Sequence, residues 1–256
     1  MSASGTGIAG RTLPFVYAAA FIVAVWQAVV WATDAHPSIL PPPWAVAKGF
    51  AGLVASGEIF LHTGVSLARV VSAWLLSAVV AVPLGLAMGR SRRFERLVDP
   101  VIELFRPISP LAWIPLAILW FGIGEAGKVF IVFIGTFFPT LLATVAGVKG
   151  IDPVLVHAGQ VLGCNDRRSL FLKVVLPASM PSIVVGLRIA FGTGWAAIIA
   201  AELVAARSGL GYLIANGMEI LRADQVLVGM VVIGILGVCF DAFFRFLHRR
   251  FSWGEE

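Results

Sequence analysis

Long apolar stretches constrain this chain more than any other feature of its sequence. Five or six of them carry almost no charge, and most are long enough to cross a lipid bilayer as a helix. Helices are expected because backbone polar groups inside a bilayer must be satisfied within the segment that crosses it. We predict an all-α membrane protein with six transmembrane helices, at Leu13–Thr33, Val70–Gly89, Ile108–Ile123, Val129–Val148, Met180–Ala201 and Val226–Phe246.

The composition supports the membrane class. Of the 256 residues, 59% are hydrophobic and 13% are charged, and a soluble domain of this size cannot bury that much apolar surface. Arg11 precedes an uncharged run that is longer than the apolar core of a signal peptide, so we expect a retained first helix. The third span is short, and Pro107, Pro110 and Pro115 crowd its start, which predicts a kinked or late-starting helix.

The basic residues predict an orientation. With the N-terminus inside, 13 of the 19 Lys and Arg residues fall in inside segments and four in outside segments, while Arg69 and Arg188 lie at or within spans. This asymmetry follows the positive-inside rule and places both termini in the cytoplasm. The net charge of +5 then reflects topology and predicts no nucleic-acid partner. We expect a cytoplasmic tail at 1–12, a transmembrane domain at 13–250 and a cytoplasmic tail at 251–256.

Two outside segments are longer than simple turns. Pro43–Ala55 has the composition of a short amphipathic helix, and Ser208–Gln225 favours a second short helix at the outer mouth. Both are expected to lie at the membrane interface.

One motif imitates a nucleotide site. "GIGEAGKV", Gly122–Val129, fits G-x-x-x-x-G-K, but Val129 follows the Lys where a P-loop needs Ser or Thr for Mg²⁺. A phosphate-binding loop also needs a preceding strand, whereas this segment joins two predicted spans. We interpret it as a Gly-rich turn between helices.

Catalytic and metal-binding patterns are absent from the sequence. The four histidines, His36, His62, His157 and His248, are scattered and form no metal-ligand spacing. An intramembrane enzyme usually places several ionisable groups inside the bilayer, and the predicted spans hold few. We therefore predict no catalytic residue, no metal site and no cofactor in this chain.

The fifth span carries the candidate pathway residues. Arg188 lies about 16 Å along the helix from Pro177 at the standard rise of about 1.5 Å per residue, so it falls near mid-membrane or in the inner half. Two interpretations are open for it, a structural Arg paired with a neighbouring helix and a positive point in an anion pathway. Glu202 is either a solvated helix end, a residue ordering an outer gate or a partner across a subunit interface. The segment "GTGW", which holds Gly192, Gly194 and Trp195, lies between these two residues. Its small residues allow close helix contact, and the segment is also a candidate pore lining.

The polar loop between spans four and five, "HAGQVLGCNDRRSLFLKVVLPASMP", resembles the signature of permease subunits of ATP-binding-cassette importers. That signature reads E-A-A, three residues, Gly, a spacer, then Ile-x-Leu-Pro. His157 and Gly159 stand where Glu and the second Ala are usual, and the distance from Gly163 to Leu176 is about one residue longer than usual. "RPISPLAWIPLAILWFGIGEAGKVF" and "AAELVAARSGLGYLIANGMEILRADQVLVGM" are similar to the nitrate, sulfonate and taurine permeases of that superfamily. The likeness covers about residues 60–250.

The resemblance implies a type I importer permease fold with a cytoplasmic coupling helix in a loop at about 149–176. That helix is expected to sit in a groove of the ATPase subunit, with small residues at the closest approach and charges at the rim. The expected coupling residues are His157, Ala158, Gly159, Gly163, Asp166, Arg167, Arg168, Phe171, Leu176 and Pro177. Leu170, Phe171 and Val174 are expected to anchor one face of a helix, and Pro177 and Pro181 to restart the chain as the fifth span. The alternative is a solvated basic loop.

The resemblance also implies partners. They are two ATPase subunits, which hold ATP and Mg²⁺, a second permease copy and a periplasmic or lipid-anchored binding protein, in the inner membrane of a bacterial cell. The second permease is expected to be the same chain, with a different permease as the alternative. The implied substrate is a small anion such as a sulfonate, taurine, nitrate or bicarbonate. A passive anion channel and a permease for an uncharged or aromatic solute are the alternatives.

Overall fold

The structure, a computed structural model, describes residues 8–34, 36–164 and 166–251. All regular elements among these residues are helical. The α-helices are α1 (Ile8–Thr33), α2 (Pro43–Ala55), α3 (Glu58–Arg90), α4 (Arg92–Phe105), α5 (Ile114–Phe121), α6 (Glu125–Lys149), α7 (Pro153–Val161), α8 (Arg167–Leu170), α9 (Leu176–Ala205), α10 (Leu210–Glu219) and α11 (Ala223–Phe251). A 3₁₀ turn at Pro110–Trp113 precedes α5, and a π turn at Phe171–Val175 joins α8 to α9.

The chain divides into two compact units. One comprises the described residues up to Phe60 together with Leu213–Val231, and the other comprises Leu61–Tyr212 with the remainder of α11. In the first unit α1 contacts α2, and in the second the largest helix contact is between α6 and α9.

Four described helices, α3, α6, α9 and α11, are long and apolar enough to cross a bilayer. The helices α4 and α5 add a fifth candidate span, which is bent by 79° at the break between them. Within α1, the apolar helical stretch Ala20–Thr33 is shorter than these candidate spans. The all-helical membrane class is therefore confirmed, and the count of six spans stays a prediction.

The third span shows the expected irregularity. The helix α4 ends at Phe105, and α5 resumes only after a 3₁₀ turn that begins at Pro110. Pro107 and Pro110 lack the N–H that a continuous helix would require. Ser109 caps the new start, because its Oγ accepts from the Leu111 N–H at 3.4 Å.

Helical structure already precedes the predicted fifth span. Helical structure runs without a break from Arg167 through the π turn into α9, whereas the sequence predicted a restart at Pro177. The Leu176 N–H donates to the Phe171 carbonyl, an i to i+5 bond of the π turn. Pro177 follows within the first turn of α9, where a missing N–H is tolerated, so the helix continues.

The ends of the predicted domain also shift. The helix α1 begins at Ile8, inside the tail predicted at 1–12, because the residues before the apolar run are compatible with a helix; residues 1–7 lie outside the described part of the chain. The helix α11 ends at Phe251, and the other residues of the predicted C-terminal tail lie outside it as well.

Close packing of α6 against α9 forms the centre of the second unit. A Cβ placed on Gly186 would lie 2.3 Å from the Cβ of Ala143, and one on Gly194 would lie 2.5 Å from Cγ2 of Thr136. No side chain larger than hydrogen fits at either glycine without movement. Small residues therefore let the two helix backbones approach, as is typical of membrane helices.

Polar contacts fix which helix ends lie together. Near the start of α3, Arg69 bonds Glu125 at the start of α6 and Glu202 near the end of α9. At the other end of α6, Lys149 pairs with Glu95 of α4. Hence α3 and α6 run in the same direction and α9 runs opposite to them.

The short helices predicted outside the spans are confirmed. The helix α2 spans Pro43–Ala55, with Pro43 at its first position, and α10 spans Leu210–Glu219. The segment Gly122–Val129, which fits the P-loop pattern in sequence, begins with a turn, since Gly122 has φ +70° and α6 begins at Glu125. No strand precedes it in the described chain.

Candidate functional site

A short helix stands between α6 and α9 in the predicted coupling loop. The carboxylate of Asp152 caps α7 by accepting from the Val154 N–H at 2.8 Å, and Pro153 occupies the first turn. The helix ends at Val161, and Gly163 adopts φ +92°, a conformation that favours glycine.

One side of α7 is seated on the chain that follows it. Gly159 is buried, and a Cβ there would lie 2.7 Å from Cγ2 of Val174 and 3.5 Å from Cδ1 of Leu170. Val174 and Leu170 therefore pack against α7, and their predicted role as anchors toward a partner stays a prediction. The small size of Gly159 therefore serves packing within this chain.

The segment also carries aliphatic side chains that are left uncovered. Its aliphatic side chains are between 53 and 87% exposed: Val154, Leu155, Val161 and Leu162. Exposed aliphatic clusters of this kind are typical of interaction surfaces. We call these four residues the α7 apolar face. Sequence reasoning singled out the small and charged residues here and missed these side chains.

The charged residues of the loop lie on the following short helix. The Asp166 carboxylate accepts from the N–H groups of Arg168 and Ser169 at 3.2 and 3.1 Å, so it caps α8. Arg167 and Arg168 are exposed. Asp166 thus orders the start of the helix that carries both guanidinium groups.

The other predicted coupling residues are spread along the segment. On α7, His157 is exposed and its Nδ1 lies 2.7 Å from the Pro153 carbonyl, and Ala158 is exposed beside it. The Phe171 ring lies beneath the Arg90 guanidinium, 5.5 Å from its centre. Leu176 and Pro177 belong to the first turn of α9.

Three predicted pathway residues share a cleft between α9 and α11. Arg188, Gly192 and Trp195 line it from α9. The other lining residues are Phe191 of α9 and, on α11, Gly237, Phe240, Asp241 and Phe244. We call this the Arg188 cleft.

Arg188 is paired. Its Nε donates to Oδ1 of Asp241 at 2.8 Å, and its Nη2 donates to the same oxygen at 2.5 Å. Arg245, one turn beyond Asp241 on α11, bonds the other carboxylate oxygen. One carboxylate is therefore shared by two guanidinium groups.

The remaining predicted pathway residues, Gly194 and Glu202, lie elsewhere. Gly194 is buried in the packing of α9 on α6. Glu202 is 1% exposed, so the hypothesis of a solvated helix end is wrong. A buried carboxylate needs partners, and folding of α3 against the end of α9 supplies them.

Glu202 is the centre of a buried polar cluster. The hydroxyl of Ser66 donates to it at 2.8 Å, Nη1 of Arg69 at 2.7 Å, and the Gly211 N–H at 3.0 Å. The other edge of the guanidinium donates to both oxygens of Glu125, at 2.5 and 2.6 Å. This two-bond geometry holds α3, α6 and α9 together.

Sequence reasoning missed most of this cluster. It placed Arg69 at or within a span without assigning a partner, and Ser66 and Glu125 were not singled out. Asp241, the partner of Arg188, was missed as well. The available signal was the presence of charges within or beside apolar runs, since such charges must be paired. Which partner each one takes depends on helix packing.

Comparison with known proteins assigns the family. The model for binding-protein-dependent transport system inner membrane components matches residues 81–253. The chain belongs to this family. The chain is 36% identical over 243 residues to the taurine transport system permease protein of Escherichia coli, covering 93% of this chain and 88% of that protein.

Two further comparisons place the permease more closely. It is 40% identical over 228 residues to a putative aliphatic sulfonates transport permease protein of Escherichia coli, covering 89% of this chain and 86% of that protein. A chain of the MetNI methionine transporter, solved facing inward, matches with a TM-score of 0.65 at 20% identity. That match covers 73% of this chain and 93% of the other, and it shows a shared fold.

Proposed function

We propose that this permease imports a small sulfonate-type anion and is driven by two ATPase subunits that dock on the α7 apolar face. The observation that carries the proposal is the form of α7. It is a short helix outside the apolar spans, packed through Gly159 on Val174, and it leaves four aliphatic side chains exposed. A helix of this kind fits a groove on a partner protein.

Charges near α7 suit the rim of such an interface. Arg167 and Arg168 are exposed on α8, which follows the α7 apolar face closely in the sequence. Rim charges steer a partner and fix its register, while buried apolar anchors supply most of the affinity. The ATP and Mg²⁺ belong to the partner subunits.

The orientation supports docking from the cytoplasm. Lys149 and Glu95 pair at the end of α6 from which α7 continues, and that end carries most of the basic residues. The positive-inside rule then places α7 in the cytoplasm, with both termini, and the Arg69 cluster near the outer face. We place the permease in the inner membrane of a bacterial cell.

The pathway forms between two copies of this chain. Motion of the ATPase subunits, transmitted through α7 and α8 into α9, alternates access to it. The binding protein delivers substrate at the outer face, near α10. The anion preference rests on the taurine and sulfonate relatives and on the guanidinium of Arg188, which lines the cleft.

Co-purification of the ATPase with variants of α7 tests the proposal. Val161→Asp together with Leu162→Asp places two charges on the apolar face without disturbing buried packing, because both side chains are more than 80% exposed. We expect loss of the ATPase subunit from a tagged pull-down. The matched control is Ile220→Asp, an exposed aliphatic residue beyond α10, which should retain it. Equal recovery from both variants would contradict the docking role of α7.

For a passive anion channel, the α7 double substitution should leave transport unchanged. Such a channel conducts without ATP, so its anion flux in liposomes is indifferent to the double substitution on α7. The importer requires ATP and loses uptake with that change.

A further inference from the structure

We infer that the Asp241 carboxylate competes with the transported anion for Arg188. The carboxylate pairs with the Arg188 guanidinium until an oxyanion displaces it. This inference rests on the proposed import of an anion, and it concerns two residues of α11 that have no assigned role, Asp241 and Arg245.

Charge is the first observation. Arg188 and Arg245 share the single carboxylate of Asp241, so the three groups together carry a formal charge of +1. Arg188 and Asp241 lie within the apolar helices α9 and α11, where an uncompensated charge is costly, and Arg245 follows near the end of the α11 span. A second anion beside the guanidinium groups would balance the excess.

Position along the helix is the second observation. Arg188 precedes Glu202 by fourteen residues on α9, which is about 21 Å at the standard helical rise. Glu202 is paired with the buried Arg69 near the outer end of α9. In the proposed orientation, Arg188 and Asp241 therefore lie in the inner half of their spans.

Access is the third observation. The side chains of Arg188 and Asp241 are 35 and 39% exposed, in contrast to the buried Arg69. The cleft beside them has a volume of about 70 Å³, which is several times the roughly 10–15 Å³ needed by one water. It has room for the charged head of a small anion.

The cleft wall suits such a head group. Phe191, Phe240 and Phe244 line the cleft beside the charged pair, and their apolar rings strengthen electrostatic attraction there. A Cβ on Gly192 would meet nothing within 4 Å, so the absence of a side chain keeps the cleft open.

Competition explains how the site releases its cargo. While the carboxylate holds Arg188, an arriving anion binds only to the fraction of molecules in which the pair is open. Re-formation of the pair then expels the anion. Transport requires this balance, because a site that held the anion too firmly would stop turnover.

Anion titration of the purified permease, alone and with its ATPase, tests the inference. The probes are methanesulfonate and its neutral analogue dimethyl sulfone. We expect Asp241→Asn to bind methanesulfonate about tenfold more tightly than the wild type, as follows if the pair is open about a tenth of the time. Arg188→Gln should lose binding, and adding Asp241→Asn to it should restore nothing. Neither form should bind dimethyl sulfone.

A steric pair keeps the test independent of any change in charge. Gly192→Leu fills the open cleft and should weaken methanesulfonate binding at least tenfold. The control, Gly234→Leu, places the same side chain in open space elsewhere on α11 and should bind as the wild type does. Unchanged affinity in both Asp241→Asn and Gly192→Leu would overturn the inference. Recovery of the ATPase in the same preparations reports on the proposed function separately.

Discussion

Nη1 of Arg69 donates to Oε1 of Glu202 at 2.7 Å, although the two residues are 133 positions apart in the chain. Both side chains are buried, and the Ser66 hydroxyl and the Gly211 N–H donate further hydrogen bonds to the Glu202 carboxylate. This contact joins the first half of α3 to the end of α9, so it closes the core of the second unit at one end.

Removal of the guanidinium should destabilise the permease strongly. Arg69→Gln leaves the Glu202 charge buried without its main partner, and breaking such a pair costs about 3–5 kcal/mol. Arg93→Gln, at an exposed site on α4, should change stability by less than about 0.5 kcal/mol. Thermal unfolding of both purified variants in one detergent makes the comparison, and equal melting temperatures would contradict it.

Gly209 is needed for the same cluster. It adopts φ +114°, and a Cβ there would lie 2.3 Å from Oε1 of Glu202. Gly209→Ala should therefore lower the melting temperature far more than Gly57→Ala. Gly57 has φ +79° but open space around it, so its substitution costs only backbone strain of about 1–2 kcal/mol. Similar losses in the two variants would show that steric contact with Glu202 is unimportant.

Packing of α6 against α9 should tolerate no added methyl group. Gly186→Ala places a Cβ 2.3 Å from that of Ala143, and such overpacking costs about 1–3 kcal/mol. Gly192→Ala lies on the same helix with open space and should not destabilise. The two melting temperatures decide the matter, and a stable Gly186→Ala variant would mean that the helices separate easily.

The seat of α7 allows a rescue experiment. Gly159→Ala forces a Cβ within 2.7 Å of Val174, so it should displace α7 and reduce recovery of the ATPase. Val174→Ala removes the opposing methyl groups, and the double variant should regain recovery. Failure of the second change to restore it would indicate that Gly159 acts by direct contact with the partner. The cycle isolates the pairwise coupling, since each single change perturbs the same contact.

Local signals predicted much of the fold. Pro43 marks the start of α2, the prolines before α5 mark the broken third span, and the glycines from Gly122 mark a turn. Each of these depends on residues adjacent in sequence. The helical structure before Pro177 was not predicted, because the proline suggested an interruption, whereas a π turn absorbs the adjustment within a continuous helix.

The candidate sites could be predicted only in part. The sequence located α7 and Arg188, but it did not predict that Asp241 pairs with Arg188 or that Arg69 pairs with Glu202. These pairs join helices that are distant in sequence, so they depend on packing rather than on local pattern. The α7 apolar face was missed for a related reason, because exposure of an aliphatic side chain depends on what covers it.

Site-specific cross-linking from α7 in native membranes tests the docking account most directly. Leu162→Cys, in a background with Cys164 and Cys239 replaced by Ser, places one thiol on the exposed end of the α7 apolar face. The account predicts a cross-link from this thiol to the ATPase subunit, with a yield that changes when ATP is added. Ile220→Cys in the same background should give none. Absence of a cross-link from position 162, or equal yields from the two positions, would contradict it.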